Sequence, residues 1–272
     1  MAGAEDEKKM PLLEHLVELR RRLLYSAVAF VLAFVGCFFV AQDMFNFLAH
    51  PMQATGRPFQ YTDLAEPFFT QVKLAAFGAL CVSFPLLAGQ IWAFVAPGLY
   101  KNERQAFLPF LIATPIMFIV GASFFYLVLL PLAIKFFAGF QVPGSIDVPT
   151  IVLQPKVGEY INFVMALIFA FGLCFELPVL LTLLARVGIV SQAGLKSKRR
   201  YAIVGVFAVA AVVTPPDVFS QLSLAFPLLA LYEISVFLAG MVEKKRAQRE
   251  AELDAELNES GSNAVTRAQA SE

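Results

Sequence analysis

The chain has 272 residues, 58% of them hydrophobic and 15% charged, with a mean hydropathy of +0.69, a composition that excludes a water-soluble domain of this size. Its formal net charge is zero, so no global basic field suggests a nucleic-acid partner, and lipid is the expected solvent. Cys37, Cys81 and Cys174 lie inside apolar runs without CxxC or metal spacing and read as small buried hydrophobes.

Residues 1–22 are polar and contain an amphipathic stretch, with Leu12, Leu16, Leu19 and Leu23 on one helical stripe and Glu14, His15, Glu18 and Arg22 elsewhere. This segment is expected to lie on the cytoplasmic membrane surface, ahead of a six-span domain over residues 23–241. A spanning helix needs about 20 apolar residues, and the predicted spans are 23–40, 74–94, 108–132, 160–184, 202–213 and 222–241. The first run is too long for the core of a cleaved signal and is expected to be retained. Segments 42–70 and 136–158 are rich in proline and nearly free of basic residues, which suits an external cap of turns and interfacial helices. Pro85, Pro109, Pro115, Pro131, Pro178 and Pro227 should bend the spans into a curved wall.

Thr214-Pro215-Pro216-Asp217 separates the last two spans. The fifth, with about 12 residues, would rise only about 18 Å, so the bilayer must thin or a partner helix must cover its end. The fold class is therefore all-α and polytopic, with the last two helices short. Residues 242–272 form a charged tail expected to fray.

Basic residues alternate between the gaps. Lys8, Lys9, Arg20 to Arg22, Lys101, Arg104, Arg186, Lys196, Lys198 to Arg200, Lys244 to Arg246, Arg249 and Arg267 fall on one side; only Arg57, Lys73, Lys135 and Lys156 remain for the other. Because cytoplasmic loops carry the Lys/Arg excess, both termini are expected in the cytoplasm after an even number of crossings.

Four acids need an explanation. Glu18 sits four residues before Arg22, the favourable order for an ordinary helix ion pair; alternatively it presents a carboxylate to a cationic ligand. Glu103, in the turn Ala96-Pro97-Gly98-Leu99-Tyr100-Lys101-Asn102-Glu103-Arg104, is either a solvated loop residue or a second such carboxylate. Glu176, in Phe175-Glu176-Leu177-Pro178, lies within a span, where an ionised acid costs about 2.5–3.5 kcal/mol, so it is protonated, paired or beside water. Its plainer reading is a neutral acid bonded to a carbonyl freed by Pro178. Glu233 invites the same argument closer to the cytoplasm. Gln221, beside the short span, needs a partner that a second helix could supply. The two histidines, His15 and His50, are assigned to opposite sides, so they build neither a zinc cluster nor a Ser/His/Asp constellation, and no phosphate loop is present.

Six motifs occur in order: His15-Leu16-Val17-Glu18-Leu19-Arg20-Arg21-Arg22-Leu23; Glu66-Pro67-Phe68-Phe69-Thr70 with Lys73-Leu74; Phe94-Val95-Ala96-Pro97-Gly98-Leu99-Tyr100 with Glu103-Arg104; Phe175-Glu176-Leu177-Pro178-Val179; Lys198-Arg199-Arg200-Tyr201; and Thr214-Pro215-Pro216-Asp217-Val218-Phe219-Ser220-Gln221. Together, over residues 12–241, they resemble the TatC family, the signal-receptor subunits of the twin-arginine protein translocase. The resemblance implies a glove-shaped six-helix receptor in the bacterial inner membrane, working in an oligomeric complex and driven by the proton motive force, without an enzymatic step or cofactor. It implies that Glu18 and Glu103 contact the two arginines of a signal peptide, with Arg20, Leu99 and Tyr100 shaping the site. It also implies that the short spans, with Asp217, Gln221 and Glu233 nearby, receive the single-span subunits TatA and TatB.

A secondary transporter or proton channel using Glu176 and Glu233 as a relay is the alternative. Such proteins carry broken segments at matching places in two repeated halves, whereas here the shortened spans are adjacent. An intramembrane enzyme lacks a nucleophile paired with a base.

Overall fold

The computed structural model describes residues 3–95, 108–141, 154–214 and 218–269, and these are almost wholly helical. In chain order the helices are α1 (Gly3–Phe39), α2 (Ala41–Gln53), α3 (Glu66–Val95), α4 (Leu108–Phe124), α5 (Leu130–Ala138), α6 (Val157–Cys174), α7 (Leu177–Arg186), α8 (Gln192–Ser197), α9 (Arg199–Val213) and α10 (Val218–Gln269). Leu16–Phe39, Glu66–Ile91, Phe110–Ala138, Val157–Arg186 and Val218–Gln248 are long and apolar enough to cross a membrane.

α1 differs from expectation. No proline interrupts residues 12–39, and the amphipathic segment runs straight into the first span as one helix, instead of lying apart on the surface. Leu16, Leu19 and Leu23 are exposed, so their stripe is not packed inside the fold. Only 11% of the apolar window of α1 is buried; the helix packs along α3 and leaves its remaining apolar faces exposed, as a lipid-facing span does.

Close helix approach explains the centre. A side chain at Gly121 of α4 would stand 2.5 Å from the Phe171 carbonyl oxygen, and one at Gly172 of α6 would stand 2.5 Å from the Phe118 ring. Glycine at both positions therefore lets α4 and α6 meet, the small-residue device that membrane helices use where water drives no association. Around this seam Phe125, Phe171, Leu74, Leu130, Ile161 and Leu224 form the buried core. Between α4 and α5 the chain makes a π-helical turn, Phe125–Leu129, just before Pro131.

That π turn positions Tyr126, which resolves a backbone problem in α2. Pro51 lies inside α2 and has no N–H for the carbonyl four residues earlier, that of Phe47. Tyr126 Oη donates to the Phe47 oxygen at 2.6 Å, and the two rings stack at 4.5 Å. Tyr160 of α6, itself 7% exposed, donates to the next carbonyl, Leu48, at 2.9 Å. The segment after α2 is tied to the same helix by Gln60 pairing with Lys156, and by Glu66 Oε1 accepting from Gly158 N at 2.7 Å. α2 and residues 54–65, in the first of the two segments expected to form a cap, are thus held on α6, while residues 142–153 of the second lie outside the described residues.

At the other end α6 breaks at Phe175–Glu176, where Pro178 of α7 cannot continue the helical bonding. α9 has 15 residues, about 22 Å of rise. The expected shortness of the last two helices holds for α9 alone, because α10 supplies the 31-residue span Val218–Gln248 and continues helical to Gln269. The charged tail beyond Met241 is rich in Glu, Lys, Arg, Gln and Ala, strong helix formers, and it prolongs the last span instead of fraying there.

Candidate functional site

Glu18 stands on α1, where Arg22 grips its Oε1 through Nε at 3.0 Å and Nη2 at 2.5 Å. Arg22 also donates through Nη1 to Gln90 Oε1 of α3 at 3.3 Å. The helix ion pair legible in the sequence therefore forms, and it is part of a link between α1 and α3. The carboxylate is half-buried, at 29% exposure against 20% for Arg22, which strengthens its field relative to a fully solvated group. Gln90 lies near the end of α3, from which the loop carrying Leu99, Tyr100 and Glu103 departs; those three residues lie outside the described residues. Arg20 is exposed, two residues from Glu18's partner Arg22 and so on nearly the opposite face of α1.

Glu176 occupies the break between α6 and α7, with its carboxyl against the Thr114 side chain and the Phe118 backbone of α4. The contact expected from Pro178 is replaced by one from another helix. Its Oε1 is buried without a hydrogen-bond partner among the described residues. Glu233 belongs to a different seam, where it accepts from Arg199 Nη2 of α9 at 2.6 Å, both side chains about half exposed. The two intramembrane acids are thus held by different helix pairs, α4–α7 and α9–α10, an arrangement that does not favour a relay between them.

Gln221 finds its partner inside the chain: its Nε2 donates to the Phe207 carbonyl of α9 at 3.4 Å. Asp217 lies outside the described residues. One face of α9 remains exposed and apolar, with Ile203, Val204, Val209 and Val212.

Toward the cap, α2, α3, α4, the π turn and α6 line an open groove of about 580 Å³, with Asp43, Phe47, Phe77, Ser123, Tyr126 and Ile168 on its walls. It is almost wholly apolar, so it suits hydrocarbon or apolar side chains. No group of three or more His, Cys, Asp or Glu able to hold a metal ion occurs among the described residues.

Three residues were given no role by the sequence reading. Tyr126, Tyr160 and Glu66 bond to groups 79, 112 and 92 positions away. The one local signal was Pro51, whose presence in a helix announces a carbonyl in need of a donor.

Comparison with known proteins follows the same lines. The model of the Sec-independent protein translocase protein (TatC) family matches residues 14–227. A TatC protein of Magnetococcus marinus is 46% identical over 253 residues, covering 92% of this chain and 91% of the relative. That of Escherichia coli K12 is 41% identical over 247 residues, covering 90% and 93%. A crystal structure of a twin-arginine translocase receptor TatC superposes with a TM-score of 0.74 at 36% identity, covering 84% of this chain and 99% of the other. With these relatives matched along nearly their whole length, the chain belongs to the TatC family.

Proposed function

We propose that this translocase component is the receptor for twin-arginine signal peptides, gripping the two arginines with Glu18 and Glu103 while Arg20, Leu99 and Tyr100 shape the site. Family membership makes the chain a multi-pass membrane protein of the twin-arginine translocase and not an enzyme. The Lys/Arg bias supports the reading that the Glu18 end faces the cytoplasm, and the same proposal takes the membrane to be the bacterial inner membrane, where cargo arrives.

The observation that carries the reading is the half-buried Glu18 carboxylate, oriented by Arg22 and tied through Gln90 to the helix that leads to Glu103. A fixed carboxylate accepts an arginine fork through charge-assisted bonds that lysine reproduces poorly. Arg20 and Arg22 together match Glu18 and Glu103 in charge, so selectivity for paired guanidinium groups rests on two carboxylates that can each accept one arginine fork. On the same reading the exposed face of α9, with Asp217 and Gln221 at the far end of the short span, receives the single-span subunits TatA and TatB.

The test is binding of a synthetic twin-arginine signal peptide to the purified chain in lipid nanodiscs. Glu18→Gln and Glu103→Gln should each weaken it by about tenfold or more, the loss of one charged hydrogen-bonded contact of about 1.5–3 kcal/mol. A twin-lysine peptide should bind the parent as weakly as the twin-arginine peptide binds these variants. Unchanged affinity in both variants refutes the receptor site.

A further inference from the structure

The turn from α7 back into the membrane is held by residues that lie beyond the last span's apolar stretch. Arg246 of α10 donates through Nη1 to the Arg186 carbonyl at the end of α7, at 3.5 Å. Glu243 Oε2 accepts from the backbone N–H of Gln192, the first residue of α8, at 3.1 Å. Further along α10, Tyr232 Oη donates to the Leu195 carbonyl at 2.8 Å, and Glu233 pairs with Arg199, the first residue of α9. A small apolar core of Ala185, Leu195, Val236 and Ala239 fills the space between. Gly188 makes the turn with φ +82°, and a side chain there would overlap the Arg246 guanidinium.

These contacts have an order. Along α10 they run from Arg246 and Glu243, at the α7–α8 turn, to Glu233, at the start of α9. Ten residues of helix separate Glu243 from Glu233, about 15 Å. Ala185 near the end of α7 and Leu195 of α8 pack in one core with Val236 and Ala239, so α8 climbs back along α10 and α9 begins beside Glu233, about one to two turns deeper than the end of α7. This is a structural cause for the shortness of α9: its start is raised. The climb is opposed by Lys196, Lys198 and Arg200, which are exposed and favour water over hydrocarbon.

We infer that Glu243 and Arg246 are positioning residues that set the depth at which α9 enters the bilayer, and with it the register in which a single-span partner helix packs on the exposed face of α9. The inference rests on the docking reading above. It assigns a role to the first turn beyond Met241, and none to the rest of the tail.

The test keeps the full chain in membranes together with a co-expressed single-span partner subunit. In a background with Cys37, Cys81 and Cys174 replaced, single cysteines at Val204, Val209 and Val212 are cross-linked to a ladder of single cysteines along the partner's span. The parent should give one preferred partner position for each. In the Glu243→Ala/Arg246→Ala variant the preferred positions should move by three to four residues, about one helical turn or 5.4 Å, as α9 slides toward the basic side. Glu243→Gln, which keeps an acceptor, and Arg246→Lys, which keeps a donor, should restore the parental register; truncation after Gln248 should leave it unchanged, whereas truncation after Val242 should move it.

A partner-free measurement covers the depth itself. Cysteines placed at 200 to 206 are labelled with a membrane-impermeant maleimide from the basic side, and the last labelled position should advance by three to four residues in the double alanine variant. If that variant does not accumulate, Glu243→Ala alone is read in the same way. An unmoved labelling boundary overturns the inference, as does an unmoved register with intact cross-links. A moved boundary in a parent that cross-links nowhere along α9 upholds the depth-setting role and overturns the docking reading.

Discussion

The two ends of this helical wall are fastened by different chemistry. At the cap, Tyr126, Tyr160 and Glu66 bond to backbone groups of α2 and α6. At the basic end, Glu18 with Arg22 is a half-buried side-chain ion pair and Glu233 with Arg199 a half-exposed one. The Tyr160 phenol, bonded to a carbonyl in a buried site, has no alternative partner, so its geometry is fixed. An exposed ion pair is worth about 0–1 kcal/mol and can exchange one cation for another at little cost. On the proposed reading, the end that accepts an arriving guanidinium is the end whose contacts are replaceable.

Substitutions separate the two regimes, and the largest effect is expected at Tyr160. Tyr160→Phe leaves the Leu48 carbonyl without its tyrosine donor in a buried site, a loss of about 1–3 kcal/mol, read as a lower unfolding midpoint in detergent. Next comes a coupling. Tyr126→Phe should destabilise the parent, yet less so in the Pro51→Ala background, where a restored N–H can reach the Phe47 carbonyl; the double-mutant cycle should give a coupling of about 0.5–1.5 kcal/mol. Additivity within error would show that the tyrosine does not substitute for the missing backbone donor.

Glu66→Ala should loosen the cap more than the wall, seen as faster hydrogen exchange at Gly158 and at residues 62 and 63, whose N–H groups bond its carboxylate. Uniform exchange throughout the chain would contradict this. At the basic end Glu233→Gln should cost at most about 1 kcal/mol, and the difference from the parent should shrink in molar salt. The smallest stability effect is expected for Glu18→Gln, about 0.3–0.5 kcal/mol, in the same variant that should lose signal-peptide binding. A large unfolding shift there would recast Glu18 as a structural residue.

Much of the basic end was legible from neighbours in sequence. The Glu18–Arg22 spacing, the short fifth span and the polar residues inside apolar runs each stand out within a window of a few residues. The cap was legible only as a composition, because what holds it are bonds between positions 79 to 112 apart. Hydropathy registers Tyr126 and Tyr160 as ordinary members of a span and cannot show that each hydroxyl is committed. Continuity was the other gap: periodicity separates the amphipathic stretch before residue 23 from the span after it, yet nothing in residues 12–39 breaks the backbone, and α1 runs through. For Gln221 the chemistry was correctly anticipated as a demand for a partner, but the donor's acceptor is Phe207 of the same chain, brought close by the turn between α9 and α10.

The π turn at Phe125–Leu129 holds one residue more than an α-helical turn would need. Deleting a single residue there would restore α geometry while leaving α5 nearly in phase with α4, because the wider turn already absorbs the extra residue. The side chains that move are those of the turn itself, so the hydroxyl over the Phe47 carbonyl is what the deletion displaces. A one-codon change can thus act on a single bond of the cap while leaving charge and the faces of the flanking helices untouched.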